Sequence, residues 1–374
     1  MGMLQELFRS HGPHYLERFG HTMPATHKKV IAAITRCRTE ANGATVYQCA
    51  ACGEPHVVPR CCGNRHCPGC QQHKTRHWLD WQLKRQLPAH HFLLTFTVPE
   101  PLRAFLRSHQ RLGYGALFEA SSGAIKTLVP DPKYLGADTP GFFGVLHTWG
   151  GQLQYHPHIH YLVPGGALSS EDRQWHPASP GFYLPVHALS KIFRAKFRDA
   201  IGEQGLLGEI PPEVWSTEWN VNCQAVGSGA ATTAYLSRYV FKVAISERRI
   251  VRVDDANVSF QYRKPHSHRI RTMALPIMEF MRRFLTHVLP TGFMKVRYYG
   301  FLSPSCSVPI EEIKARIEMA HGFAASAPEI EIEAPPPMLC RHCGGPLQLH
   351  RLILPTRRAP VAQHAHRAAL GPGP

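Results

Sequence analysis

The stretch His156-Pro157-His158-Ile159-His160-Tyr161-Leu162-Val163 places three histidines at alternate positions in an otherwise apolar run. Alternate residues of a β-strand point to one face, so a strand here projects His156, His158 and His160 together. The flanking sequence supplies partners for such a strand. Phe142 to Trp149 reads as a preceding strand, and Gly150-Gly151 between the two suits a hairpin-type turn. His91 to Val98 (HFLLTFTV) is β-rich and reads as a first core strand, and Trp219 to Val226 as a fourth. Helical patterns fill the intervals: residues 2–36 in two pieces broken near Gly20 to Pro24, Gln71 to Leu87, a stretch ending near Val129, Pro185 to Glu203, and Ala230 to Ser246. Ile250 to Val253 and Val258 to Tyr262 flank Asp254-Asp255-Ala256-Asn257, a hairpin signal. Residues 275–289 and 309–320 also read as helices. Strands and helices interleaved in this way are compatible with an α+β layer.

A lone histidine is most simply a surface residue. Three that alternate in an apolar strand point to a metal. His158 and His160 would put two imidazoles on one side of a cation, and His156 is the expected third ligand, with His147 and Gln154 as alternatives. Asp and Glu are absent from residues 139–170, so an acidic third ligand must come from elsewhere.

A second motif, Tyr235-Leu236-Ser237-Arg238-Tyr239, lies on the helical stretch that follows Gly227-Ser228-Gly229. Residues i and i+4 of a helix are neighbours, so Tyr235 and Tyr239 share a face, with Lys242 further along it. Two core aromatics would show the same spacing. The cations Arg238 and Lys242 favour a site that handles phosphate, where a nearby charge stabilises the phenolate needed for attack. Tyr235, Tyr239 and Lys242 are the catalytic candidates, with Arg238 as a DNA contact. No GxSxG elbow and no G-x-x-x-x-G-K-[ST] phosphate loop is found, which argues against a serine hydrolase and an ATP-driven motor.

The chain has 374 residues, with 42 Lys+Arg against 26 Asp+Glu and a net charge of +16. Such a balance fits a nucleic-acid partner, with an anionic membrane as the competitor. No apolar run is long enough to span a bilayer, and Met1 to Phe19 lacks a signal-peptide core, so a cytoplasmic protein without a membrane partner is expected.

Of eleven cysteines, seven fall between Cys37 and Cys70. Clustered pairs without a signal peptide read as metal ligands rather than disulfides. Cys49-x2-Cys52 and Cys67-x2-Cys70, fourteen residues apart, are expected to hold a structural zinc ion. Cys37, Cys62 and His66 are left over, and Cys340-x2-Cys343 is half a ribbon that His342 or His350 could complete. Arg65, Lys74 and Arg76 make the cysteine-rich module a plausible duplex- or hairpin-binding element. The expected organisation is an N-terminal helical segment over 1–36, a zinc module with trailing helix over 37–87, a catalytic domain over 88–305, a helix and linker over 306–338, and a Cys-x-x-Cys segment with a disordered tail over 339–374.

Three ordered motifs carry a family resemblance. HPHIHYLVPGG, YLSRYVFK about seventy residues later, and an N-terminal CxxC followed by CCGNRHCPGCQ resemble the two-tyrosine HUH transposases of the insertion sequence ninety-one family. HUH denotes histidine, bulky hydrophobic, histidine, here His158-Ile159-His160. The resemblance covers about residues 10–300. It implies an HUH endonuclease-like fold, a central antiparallel sheet flanked by helices. It also implies rolling-circle transposition of single-stranded DNA with catalytic Mg2+ or Mn2+ and structural Zn2+, a host helicase as helper, and no small-molecule substrate. One tyrosine would cut a strand and keep a 5′-phosphotyrosine link, and the second would serve the paired cut. Two other readings share some of these features: a plasmid or phage rolling-circle replication initiator, and a non-catalytic zinc-dependent DNA-binding regulator.

Overall fold

The structure is a computed structural model that describes residues 2–240, 244–263, 269–322 and 337–355, apart from the side chains of Gln72, Arg238 and Tyr239. The chain forms two compact units. The larger holds residues 1–35 and 63–333, the smaller residues 36–62 and 334–374. Of the stretch 37–87, expected to be one continuous module, residues 37–62 lie in the small unit and residues 63–87, with Cys67, Cys70 and the helix, in the large one. The linker expected within 306–338 and the disordered tail expected within 339–374 fall mostly on residues 323–336 and 356–374, outside the described residues.

The chain opens with α1 (Met3–Phe19) and α2 (Ala25–Arg36), followed by strands β1 (Ala44–Cys49) and β2 (Pro55–Pro59). Next come α3 (Gln72–Lys84), β3 (His91–Thr97), α4 (Leu102–Ser108) and α5 (Gln110–Leu128). The histidine hairpin is β4 (Phe142–Trp149) and β5 (Tyr155–Pro164), trailed by short strands β6 (Gly166–Leu168) and β7 (Trp175–Pro177). Then follow α6 (Val186–Gly202), β8 (Asn220–Ala225), α7 (Ala230–Val240), β9 (Ile250–Val253), β10 (Asn257–Arg263), β11 (Ile270–Pro276) and α8 (Ile277–Thr286). The last elements are β12 (Val296–Tyr299), α9 (Ile310–His321) and β13 (Leu347–Ile353).

The large unit is built on a five-stranded antiparallel sheet in the order β12-β4-β5-β3-β8, with helices against both faces. The fold is α+β, and the histidine strand β5 is central. Side-chain parity sorts the two faces. Phe92, Leu94 and Phe96 of β3, Phe142 and Leu146 of β4, and Ile159, Tyr161 and Val163 of β5 face α5 and α6. Phe193 and Phe197 of α6 and Trp219 fill that layer, with rings in edge contact at 4.9–5.4 Å. Truncating a fully buried ring here, such as Phe96, costs about 3–5 kcal/mol. Gly144 sits opposite Tyr161 in the ladder, and a Cβ there would fall 2.3 Å from the phenol ring, so only glycine lets Tyr161 lie flat across β4.

The opposite face is thinner. Leu93, Phe143, Val145 and Leu162 receive Leu236 and Val240 of α7, with Trp78 of α3 against the same patch. Trp78 and Gln82 both donate to the Tyr298 hydroxyl of β12, at 2.8 and 2.7 Å, which holds α3 across the sheet. The loop into α7 is pinned: His91 N–H donates to Gly227 O at 2.6 Å, and Gln86 donates to Ser228 O. Gly229 adopts φ +79°, and a Cβ there would lie 2.8 Å from the His91 ring, so both backbone conformation and space demand glycine where α7 begins. A second antiparallel sheet, β11-β10-β9, packs Phe260 on Phe280 of α8, and Phe284 of α8 meets Phe8 of α1.

The small unit is a three-stranded antiparallel sheet in the order β13-β1-β2. These strands, together with β11 and β12, have no counterpart in the sequence expectations.

Candidate active site

Strands β4 and β5 pair with His147 opposite His158, and β5 and β3 pair with Thr95 opposite His160. One nitrogen each of His147, His158 and His160 can be chosen so that all lie within 4.8 Å of one another. His156 is not in this group. Consecutive same-face residues on a strand stand about 6.6 Å apart, so three of them extend over roughly 13 Å, more than one cation can bridge. The cross-strand His147 lies near both ligands, its ring centre 5.3 Å from that of His158 and 4.6 Å from that of His160, which is why it takes the place expected for His156. His156 instead engages Arg103, whose Nη2 lies 2.9 Å from its Nδ1, and a guanidinium at that distance opposes a cation.

The ring orientations are set by outer partners. His158 Nδ1 lies 2.7 Å from the His156 carbonyl, so it carries the proton and donates, leaving Nε2 as the lone-pair nitrogen. His160 Nδ1 meets the Thr95 hydroxyl at 2.9 Å. Burial holds His147 and His158 well below the usual imidazole range and lowers His160 to about 4. All three are therefore neutral near pH 7, the form that binds a metal. Three neutral imidazoles, two of them oriented by outer partners, fit a divalent cation.

Parity places this cluster relative to the tyrosine helix. His147 follows Phe143 and Val145 on one face of β4, and His158 and His160 precede Leu162 on the same face of β5. That is the face covered by Leu236 and Val240 of α7. Tyr235 lies on this helix and is exposed. Tyr239 lies on it too, but its side chain is outside the described residues, as are the Arg238 side chain and Lys242.

The expected DNA contacts separate. Lys74 and Arg76 on α3 are exposed. Arg65 is half-buried: its guanidinium donates to Phe293 O at 2.7 Å and Pro290 O at 2.8 Å, and burial lowers its pKa. Arg65, Lys74, Trp78, Trp149, Lys295 and Tyr298 border a cleft of about 390 Å³ whose wall includes Val240 of α7. Trp149 stacks on His147 with ring centres 5.0 Å apart, so the cleft adjoins the histidine cluster.

The zinc tetrad expected from Cys49, Cys52, Cys67 and Cys70 requires correction. Cys49 and Cys52 gather instead with Cys340 and Cys343 in the small unit, which fills their tetrad, while Cys67 and Cys70 belong to the large unit. The sequence spacing concealed this because β13, which carries the distant pair to β1, has no hairpin signal linking it to residues 44–49. Thr95 and Arg103 were also missed: they act through strand register and helix placement, for which no local motif exists.

Residues 141–309 match the family described as "Putative transposase", and residues 7–98 match the family described as "Transposase zinc-binding domain". The chain is 37% identical over 318 residues to "Putative transposase y4qJ" of Sinorhizobium fredii, covering 79% of each protein. It is 28% identical over 316 residues to "Transposase for insertion sequence element IS801" of Pseudomonas savastanoi pv. phaseolicola, covering 78% of this chain and 74% of the relative. No solved structure matches. No helix among the described residues is long and apolar enough to cross a membrane.

Proposed function

The chain belongs to the IS91 and IS801 family of insertion-sequence transposases, DNA-cleaving enzymes with a zinc-binding domain, and from that premise we propose that it cuts and rejoins single-stranded DNA through a tyrosine. The observation that carries the reading is the pairing of His147, His158 and His160 on the sheet face covered by the tyrosine helix. A divalent cation, Mg2+ or Mn2+, bound by these imidazoles would neutralise charge on the scissile phosphate. His158 and His160 are held in ligand orientation by the His156 carbonyl and the Thr95 hydroxyl. Tyr235 or Tyr239 attacks the phosphorus through its phenolate oxygen. The bond to the 3′-oxygen breaks, the 5′-phosphate stays on the tyrosine, and a free 3′-hydroxyl leaves with the other strand segment. Attack of a 3′-hydroxyl on the stored phosphotyrosine reverses the step at a new end, which is the chemistry rolling-circle transposition requires. Lys242 and Arg238 serve the phosphate backbone beside the tyrosines, and Lys74 and Arg76 of α3 extend the cationic track. The aromatic cleft beside His147 suits an unstacked base of a single strand. A host helicase would supply that strand from duplex donor DNA.

The test is incubation of the purified protein with end-labelled single-stranded DNA from the element's termini and Mn2+, resolved under denaturing conditions. A Mn2+-dependent protein–DNA adduct is expected, lost when Tyr235 and Tyr239 are both replaced by Phe and lost when His158 and His160 are both replaced by Ala. Tight DNA binding with no scission would support a non-catalytic regulator instead.

A further inference from the structure

We propose that Cys49, Cys52, Cys340 and Cys343 form one four-thiolate zinc ribbon, assembled from two stretches of chain nearly three hundred residues apart. The matched zinc-binding domain spans residues 7–98, so the second half of this site lies outside it.

The two halves are built alike. Each is Cys-x-x-Cys-Gly, and the glycine after each second cysteine, Gly53 and Gly344, takes a left-handed backbone at φ +73° and +74°. Each turn aims backbone N–H groups at its sulfurs. His342 N–H donates to Cys340 Sγ and Gly345 N–H to Cys343 Sγ, both at 3.4 Å. In the first half, the Cys52 and Ala51 amides serve Cys49, and the Glu54 amide serves Cys52. Inward N–H groups of this kind stabilise negative sulfur, which is what a metal-bound thiolate carries. His56 Nε2 lies 3.2 Å from Cys340 Sγ, placed to donate to the same charge.

The sulfur spacing is that of a metal site. Cys49 and Cys343 Sγ are 3.4 Å apart, Cys52 and Cys340 Sγ 3.8 Å, and all four lie within 4.8 Å of one another. A disulfide needs about 2.05 Å. A tetrahedron with zinc–sulfur bonds of about 2.3 Å has edges of roughly 3.8 Å. The second turn approaches the sulfurs closely: a Cβ on Gly345 would come within 3.2 Å of Cys49 Sγ and 3.3 Å of Cys343 Sγ.

Strand register brings the halves together. β1 pairs antiparallel with β13, from Ala44 opposite Ile353 to Cys49 opposite Leu347, and Ala50 N–H donates to Pro346 O. That sheet has little else to hold it. Among the described residues Val57, Val58, Leu349, Leu352 and Ile353 are all exposed while Ala44 and Val46 are buried, so a metal crosslink would reinforce a small core.

Zinc content of the purified full-length protein, measured by inductively coupled plasma mass spectrometry, tests the site. Cys49→Ser/Cys52→Ser and Cys340→Ser/Cys343→Ser should each hold one zinc ion per chain fewer than the parent, and the quadruple variant no fewer than either. Unchanged zinc in either double variant overturns the proposal; unchanged zinc in Cys340→Ser/Cys343→Ser alone would point back to a tetrad with Cys67 and Cys70. The unsubstituted protein provides a second reading that does not depend on variants folding. Under native alkylation mapped by mass spectrometry, all four cysteines should be protected and become reactive together on chelation. Rapid alkylation of Cys340 and Cys343 in the zinc-loaded protein also overturns it.

Discussion

Replacing Thr95 by Val removes one hydroxyl behind the histidine cluster and nothing else. The Thr95 hydroxyl lies 2.9 Å from His160 Nδ1, and the two residues are directly paired across β3 and β5. Valine keeps the β-branched shape that the strand prefers. The lost hydrogen bond is worth about 0.5–1.5 kcal/mol, and an imidazole nitrogen left buried without a partner costs about 1–3 kcal/mol. Outer partners of ligating histidines change metal affinity by roughly 10- to 100-fold, or about 1.4–2.7 kcal/mol, which agrees with that range. The assay is the initial rate of single-strand cleavage over a Mn2+ titration, with metal affinity measured independently by electron paramagnetic resonance. The half-saturating Mn2+ concentration should rise by roughly 10- to 100-fold, while the rate at saturating metal stays within about threefold of the parent. Thr95→Ser should restore the original curve. An unchanged Mn2+ curve in Thr95→Val refutes the role of His160 as an oriented ligand.

Other substitutions separate the expected ligands and contacts. His147→Ala should lower Mn2+-dependent cleavage by at least the roughly 10- to 100-fold of an outer-partner loss, and His156→Ala by much less; the reverse order in a cleavage assay would return His156 to the ligand set. Arg65→Met should lower stability by about 2–3 kcal/mol in chemical denaturation, discounted for the partial exposure of Arg65, and leave the salt dependence of DNA binding unchanged. Lys74→Ala and Arg76→Ala should do the opposite, each reducing the slope of log affinity against log salt by about 0.7–0.9; a smaller slope in Arg65→Met would restore it as a phosphate contact. Burial lowers His66 to about 3, and His91 and His287 to about 4. These folded-state values lie below the ordinary 6.5, so the unfolded chain protonates first. Stability is full above about pH 6.5 and declines as pH falls from there toward 4, by at most about 1.4 kcal/mol per pH unit for each group. His66 gives this a structural cause, since its Nε2 accepts from Leu289 N–H and cannot do so once protonated. Equal denaturation midpoints at pH 7.5 and pH 5 would contradict it.

Much of the large unit was legible because its signals are local. Phe142–Trp149, Val186–Gly202 and Ile250–Val253 fall where alternation, helical periodicity and turn residues placed them. The histidines, the tyrosine helix and their order were equally plain, since each is a short motif. Register was not legible. Whether His147 or His156 completes the cluster depends on which residues face each other across two strands, and strand periodicity cannot decide between a same-strand and a cross-strand neighbour. Arg65 shows a related limit: in sequence it is one more cation beside a cysteine motif, and only the carbonyls of Pro290 and Phe293 reveal that two of its N–H groups are engaged internally. Cys340 and Cys343 read as half a site because their partners are far away in the chain.

The most direct measurement is peptide mapping of the covalent product formed with single-stranded terminal DNA and Mn2+, after nuclease trimming. The mechanism requires a phosphorylated tyrosine within residues 230–246, at Tyr235 or Tyr239, joined to the 5′ side of the cleaved strand. A link on any other residue, or to the 3′ side, would contradict it.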